Sequence, residues 1–165
     1  MNVPAPKKML NAFSPTEAAR ITGLSVHMLN YLARHTYLKP AYGSAGRGSV
    51  RYYSYRDLII ARIIARLLAA GLEISRLKKG IASLVRDPNL STGDAQKDLR
   101  LLATDGSALF FVERDGGLRD LTKDGQLAFA FVLDVGIARD EVVAQMSDEE
   151  LRYFNLEKRR LQKAA

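Results

Sequence analysis

The sequence predicts an α+β protein, mainly helical in its first half and mixing strands with helices in its second. Three observations carry that expectation. Three segments with helical spacing of apolar residues in 12–86 are each preceded by serine and followed by glycine or proline. Residues 41–53 hold three glycines among tyrosines and arginines, the chemistry of a hairpin. Two apolar stretches of the second half, ALFFV and LAFAFVL, fit strands better than amphipathic helices.

Each element follows from local chemistry. Ser14, Pro15 and Glu17 make a helix start, with a hydroxyl at the N-cap, proline at the first helical position and an acid at the third. That helix is expected to reach Ile21 or Thr22, where Gly23 supplies the turn. Ser25 caps a second helix from Val26 to His35, and Pro40 prevents continuation. Gly43, Gly46 and Gly48 shape the hairpin that follows. Ser54 caps a third helix from Tyr55 to Ala70, whose Leu58, Ile59, Ala61, Ile63, Ile64, Leu67 and Leu68 recur at helical spacing. Gly71 ends it, and a fourth helix is expected from Glu73 to Val85.

Beyond this point the pattern changes. Asp87, Pro88 and Asn89 mark a boundary, and a short polar helix is expected from Ser91 to Ala103. Ala108 to Glu113 reads as a strand, followed by a turn at Arg114, Asp115, Gly116 and Gly117. Leu127 to Asp134 places Phe129, Phe131 and Leu133 on one side by period two, with a buried helical segment as the alternative. A charged last helix is expected from Asp148 to Lys163, anchored by Leu151, Phe154 and Leu161. Three units result: a head at 12–86, a linker helix at 87–105, and a small α/β-containing C-terminal domain at 106–165 for dimerisation or partner binding.

Composition removes several classes of function. The 165 residues include no cysteine, which excludes disulfides, thiolate metal sites and a cysteine nucleophile. The two histidines, His27 and His35, have no acidic partner at ligand spacing, so no metal is expected. Asp115, Asp120, Asp124 and Asp134 lack the pattern of a calcium loop and read as turn formers. No phosphate-cradling glycine loop or catalytic triad is visible, so neither an enzyme nor a cofactor is expected. Without an apolar run of about 18 residues a membrane span is not expected either, and the reading is a cytoplasmic, nucleoid-associated protein.

The charge of +7 is divided unevenly. Residues 1–86 carry 14 Lys and Arg against 3 acids, whereas residues 87–165 carry 11 against 15. A basic half beside an acidic one is the footprint of a domain that meets phosphate.

Within the second helix, Met28, Leu29 and Leu32 supply a packing side, while His27, Asn30, Tyr31 and Arg34 share another face. Asn is suited to adenine, Arg to guanine or phosphate, and Tyr to the backbone. The helix start at Ser25 presents free amides to phosphate. Lys39, Arg47, Arg51 and Tyr53 add a basic, aromatic hairpin, although Tyr52, Tyr53 and Tyr55 also suit packing of hairpin on helix. Two helices joined at Gly-Leu-Ser and followed by this hairpin make a winged helix-turn-helix, and its ligand would be double-stranded DNA.

The run TEAARITGLSVHMLNYLARH, the LKP and RYYSYRDL flanks of the hairpin, and LLAAGLEISRLKKGI together resemble the DNA-binding domain of MerR-family transcriptional regulators over residues 13–84. The resemblance implies a second helix in the major groove and a wing on flanking backbone. It also implies that Tyr31 matches a phosphate-contacting aromatic and Arg51 a wing arginine. The chain departs from the family in four ways: Asn30 stands where arginine is usual, the tip SAGRGSV is longer, no cysteine is present, and no long dimerisation helix follows Val85. The resulting expectation is a homodimeric, sequence-specific DNA-binding regulator, more a repressor by occlusion than an activator. The alternatives are an antitoxin or adaptor whose C-terminal domain binds a partner protein, and an architectural factor that bends DNA.

Overall fold

The computed structural model describes residues 12–43, 51–86, 90, 101–104, 109–112, 118–119 and 131–164. Helix α1, Pro15–Thr22, begins where the Ser14 hydroxyl accepts the Glu17 N–H at 3.2 Å. Gly23 closes it at φ +82°, a conformation that disfavours a side chain, and a Cβ there would lie 3.1 Å from Nη1 of Arg62. Helix α2, Val26–Arg34, starts where the Ser25 hydroxyl accepts the Met28 N–H at 3.0 Å.

The end of α2 has a cost. Thr36 sits at φ +61° while Thr36 N–H donates to the Ala33 carbonyl and Tyr37 N–H to that of Leu32. This is the Schellman arrangement, with threonine where glycine is usual. It turns the chain so that Tyr37 and Leu38 both enter the core.

Two antiparallel bridges then fix the arms on either side of the expected hairpin tip. Tyr42 pairs with Tyr52, and Phe13, from before α1, pairs with Tyr53. Residues 44–50, including Arg47, lie outside the described residues. Helix α3, Tyr55–Ala69, opens with a reciprocal capping box between Ser54 and Asp57. The same Asp57 carboxylate accepts the N–H groups of Ser54 and Ala41, both at 2.9 Å. Burial pushes the Asp57 carboxyl above its ordinary value, although those hydrogen bonds and Arg56 pull the other way. The expected fourth helix is divided into a 3₁₀ turn, Ile74–Leu77, and helix α4, Lys78–Arg86.

The second half contributes a four-stranded antiparallel sheet and two helices. The strands are β1 Leu101–Thr104, β2 Leu109–Val112, β3 Leu118–Arg119 and β4 Phe131–Asp134, in the order β3-β2-β1-β4. Leu102 lies opposite Phe111 on one side and Leu133 on the other. The helix expected to end at Ala103 is therefore corrected at that end: residues 101–104 are an inner strand. Leucine and alanine favour helix locally, but pairing on both edges outweighs a propensity of a few tenths of a kcal/mol. The earlier part of that expected helix lies outside the described residues, as do 127–130. Helix α6, Asp148–Ala164, falls where the last helix was expected.

Helix α5, Val135–Ala144, was not expected at all. The Asp134 carboxylate caps it by accepting the Gly136 N–H at 2.7 Å. Its buried Val135, Ala138, Arg139 and Val142 carry the helical spacing that should have disclosed it.

One core joins the two halves. Leu29, Leu32, Leu38 and Tyr53 pack with α3 and with Val135, Ala138 and Val142 from α5. Helices α1 and α5 both lie against α3. From α6, Phe154 reaches Tyr55 with ring centroids 4.7 Å apart.

Two outcomes test this account. Asp57→Ala leaves the Ala41 and Ser54 amides without their acceptor and is expected to destabilise the fold by about 1–3 kcal/mol. Chemical denaturation measures that loss, and an unchanged midpoint would refute the bracing role of Asp57. Thr36→Gly removes the left-handed penalty and is expected to raise stability by up to about 1 kcal/mol, less whatever the more flexible unfolded chain takes back.

Candidate nucleic-acid interface

The second helix separates its side chains as its spacing requires. Leu29 and Leu32 are buried and Met28 is partly so, whereas His27 and Arg34 are exposed. Asn30 and Tyr31 lie half-buried beside the exposed pair. Tyr31 is held by aromatic neighbours, its ring 4.3 Å from that of His35 and 6.3 Å from that of Tyr37. Lys78 lies 5.2 Å over the Tyr37 ring, extending this cluster to α4.

The hairpin arm meets this helix through one polar contact. Arg51 donates from Nη1 to Oδ1 of Asn30 at 3.2 Å. A guanidinium has no acceptor, so the contact fixes the amide: its oxygen faces Arg51 and its NH₂ faces away. Lys39 is exposed, and Ser25, also exposed, uses its hydroxyl to cap α2. The structure thus brings Asn30 and Arg51 together beside Tyr31 and Arg34 on α2. Arg47 lies outside the described residues.

Tyr53 is a correction. Its side chain is fully buried, so it cannot touch a ligand and belongs to the core. Burial pushes its phenol above the ordinary value, against the opposing charge of Arg51. The bridge from Phe13 to Tyr53 explains the placement: it turns the residue inward from the arm.

Other cations of the head are directed elsewhere. Arg66 grips Glu141 of α5 with both Nε and Nη2, a two-pronged contact, and Arg62 donates to the same carboxylate at 2.7 Å. Arg62 also donates to the Thr22 carbonyl at 3.0 Å. From α1, Arg20 pairs with Glu150 of α6 and donates to the Gln145 carbonyl at 2.6 Å. Arg56 donates to the Val85 carbonyl. The sequence reading missed these pairings; no local pattern announces a partner 29 to 130 positions away.

Glu150 occupies two roles. It accepts the Ser147 N–H at 2.8 Å while the Ser147 hydroxyl accepts its own N–H, a capping box for α6. Burial alone would raise its carboxyl, but hydrogen bonding with Glu17, Ser147 and Arg20 overcomes that and lowers it to about 2. Among the described residues, no group of three His, Asp or Glu is placed to hold a metal, and no helix is long and apolar enough to cross a membrane.

Helix, glycine turn, helix, bridged arms and a capped long helix define a helix-turn-helix protein. Residues 13–84 match the family described as MerR HTH family regulatory protein. Uncharacterized HTH-type transcriptional regulators of Mycobacterium tuberculosis and Mycobacterium bovis are 28% identical over 120 residues, covering 64% of this chain and 53% of theirs. The chain therefore spans about half the length of the curated relatives it matches. The aligned share of this chain is also too long to fit within 13–84, so the likeness continues past the family segment.

The Glu150 contacts set a pH dependence. A folded value near 2 against an ordinary 4.5 gives stability that is complete at neutral pH and lost as pH falls through that interval. Glu150→Gln is expected to lower the melting temperature at neutral pH, with a gap from wild type that narrows below about pH 4.5 and closes toward about pH 2. A gap of constant size across melts at each pH would refute this linkage.

Proposed function

We propose that this protein is a sequence-specific DNA-binding transcriptional regulator, with α2 in the major groove and the 41–53 hairpin as a wing on flanking backbone or minor groove. The observation that carries the reading is the face of α2 that bears His27, Asn30, Tyr31 and Arg34 opposite the buried Leu29 and Leu32, with the hairpin's Arg51 held to Asn30. The MerR family match of residues 13–84 supports it, as do relatives named as transcriptional regulators. Ser25, His27, Asn30, Tyr31, Arg34, Lys39, Arg47 and Arg51 are the proposed contact set. Amides at the start of α2 would meet phosphate, and Arg34 and Lys39 would supply counter-charge.

The proposed action is repression by occlusion. A protein holding one short recognition helix gains specificity by pairing two copies over two half-sites, so a homodimer is proposed. No partner other than DNA and a second copy is required by this reading. Its location would be the cytoplasm, on the nucleoid.

Selection of bound sequences from a random DNA pool, with the mass of the protein in solution measured beside it, tests the proposal. A two-fold symmetric motif and a dimer mass are expected; no enriched motif would overturn it. Arg34→Ala is expected to weaken binding to all sequences and to reduce the slope of log affinity against log salt by about 1. Arg66→Ala, which breaks the Glu141 contact instead, is expected to lower thermal stability and leave that slope unchanged. Equal slopes for wild type and Arg34→Ala would remove Arg34 from the contact set.

A further inference from the structure

Asn30 is the residue whose chemistry the hairpin changes most. A free asparagine reads adenine with both ends of its amide, the oxygen accepting from N6 and the nitrogen donating to N7. Here Oδ1 already accepts from Nη1 of Arg51 at 3.2 Å. The oxygen keeps a second lone pair, but a donor approaching it would do so beside a guanidinium charge, which disfavours the partly positive N6 amino group of adenine. What the pair offers outward without that penalty is donors: Nδ2 of Asn30 and the remaining N–H groups of Arg51. Both residues are half-buried, so the contact is partly shielded from the water that would loosen it.

Resting on the DNA-binding reading above, we propose that Asn30 and Arg51 act as one recognition unit that selects paired hydrogen-bond acceptors, and that in the major groove this is the O6 and N7 edge of guanine, with Arg51 held beside α2 there while the rest of the hairpin meets flanking backbone or minor groove. Guanine is the base that shows two acceptors there. Phosphate oxygens share that chemistry, and the two sources differ in what they do to sequence preference: guanine reading fixes a base, whereas phosphate binding fixes none. Arg51 thereby sets the specificity of a residue on another element. Its part is distinct from that of Arg34, which has no such hold on Asn30.

The test is selection from a random DNA pool with wild type, Asn30→Ala, Arg51→Ala and Arg34→Ala, each first shown to melt as a folded protein. The position read by the pair is the one whose preference disappears in Asn30→Ala. In wild type that position is expected to favour guanine over adenine by on the order of tenfold. In Arg51→Ala, with the amide released, the preference there is expected to move toward adenine, while Arg34→Ala leaves it at guanine. Adenine at that position in wild type would overturn the proposal. So would an unchanged motif in both Asn30→Ala and Arg51→Ala with affinity lowered equally for all sequences, the result for a phosphate contact. A wild-type protein that binds no DNA would instead bring down the regulator reading itself, a separate and recognisable result.

Discussion

The constraint on which the described fold depends is the burial of α3 on most of its sides. Leu58, Ile59, Ile60 and Ala61 are consecutive and all buried, and four successive residues at 100° steps point in four directions around a helix. An ordinary surface helix hides one stripe; this one must be covered from several directions. Helix α1 covers one side and α5 another, although more than sixty residues separate α3 from α5 in sequence. At about 1.5–3 kcal/mol for each large side chain removed from water, leaving either side open would be a large loss for a domain of this size.

The polar contacts follow from that packing. Once α5 lies on α3, Glu141 meets Arg62 and Arg66, and α6 places Glu150 against Arg20. Ion pairs that are partly exposed add little stability by themselves, and their larger effect is on register: a shifted α5 would leave Glu141 without its two arginines. The excess of positive charge in the first half therefore has two destinations. Part of it is met inside the molecule by acids of the second half, and part, at Arg34 and Lys39, stays on the surface. Net charge by segment suggests a phosphate-binding half, but it cannot say which cations face the phosphate.

This marks how far the sequence could be read. Ser14, Ser25 and Ser54 act as caps and Gly23 as a left-handed turn because each depends on residues within four positions, which is information the sequence displays. The α2 face was legible for the same reason. What escaped was non-local. Residues 101–103 read as helix until β2 and β4 pair with them, and Tyr53 fits both a DNA contact and packing on the helix until Phe13 bridges to it. The contact of Arg51 with Asn30 joins residues 21 positions apart and depends on both arms of the hairpin. Helix α5 is a different case, since its cap at Asp134 and the spacing of its buried residues are both local signals.

The same non-local contacts determine how firmly the candidate surface is held. Arg51 is followed by Tyr52, bridged to Tyr42, and by Tyr53, bridged to Phe13 and buried among the residues that also hold Leu29 and Leu32. Asp57 ties Ala41 to the start of α3, so both arms are fastened to one rigid helix before either reaches α2. A side chain carried on such a frame loses less freedom on meeting a ligand than one on a loose loop, and the difference appears as affinity and as discrimination. The position of Arg51 beside Asn30 is thus set by the hydrophobic core, and the geometry of the surface is a consequence of how α3 is buried.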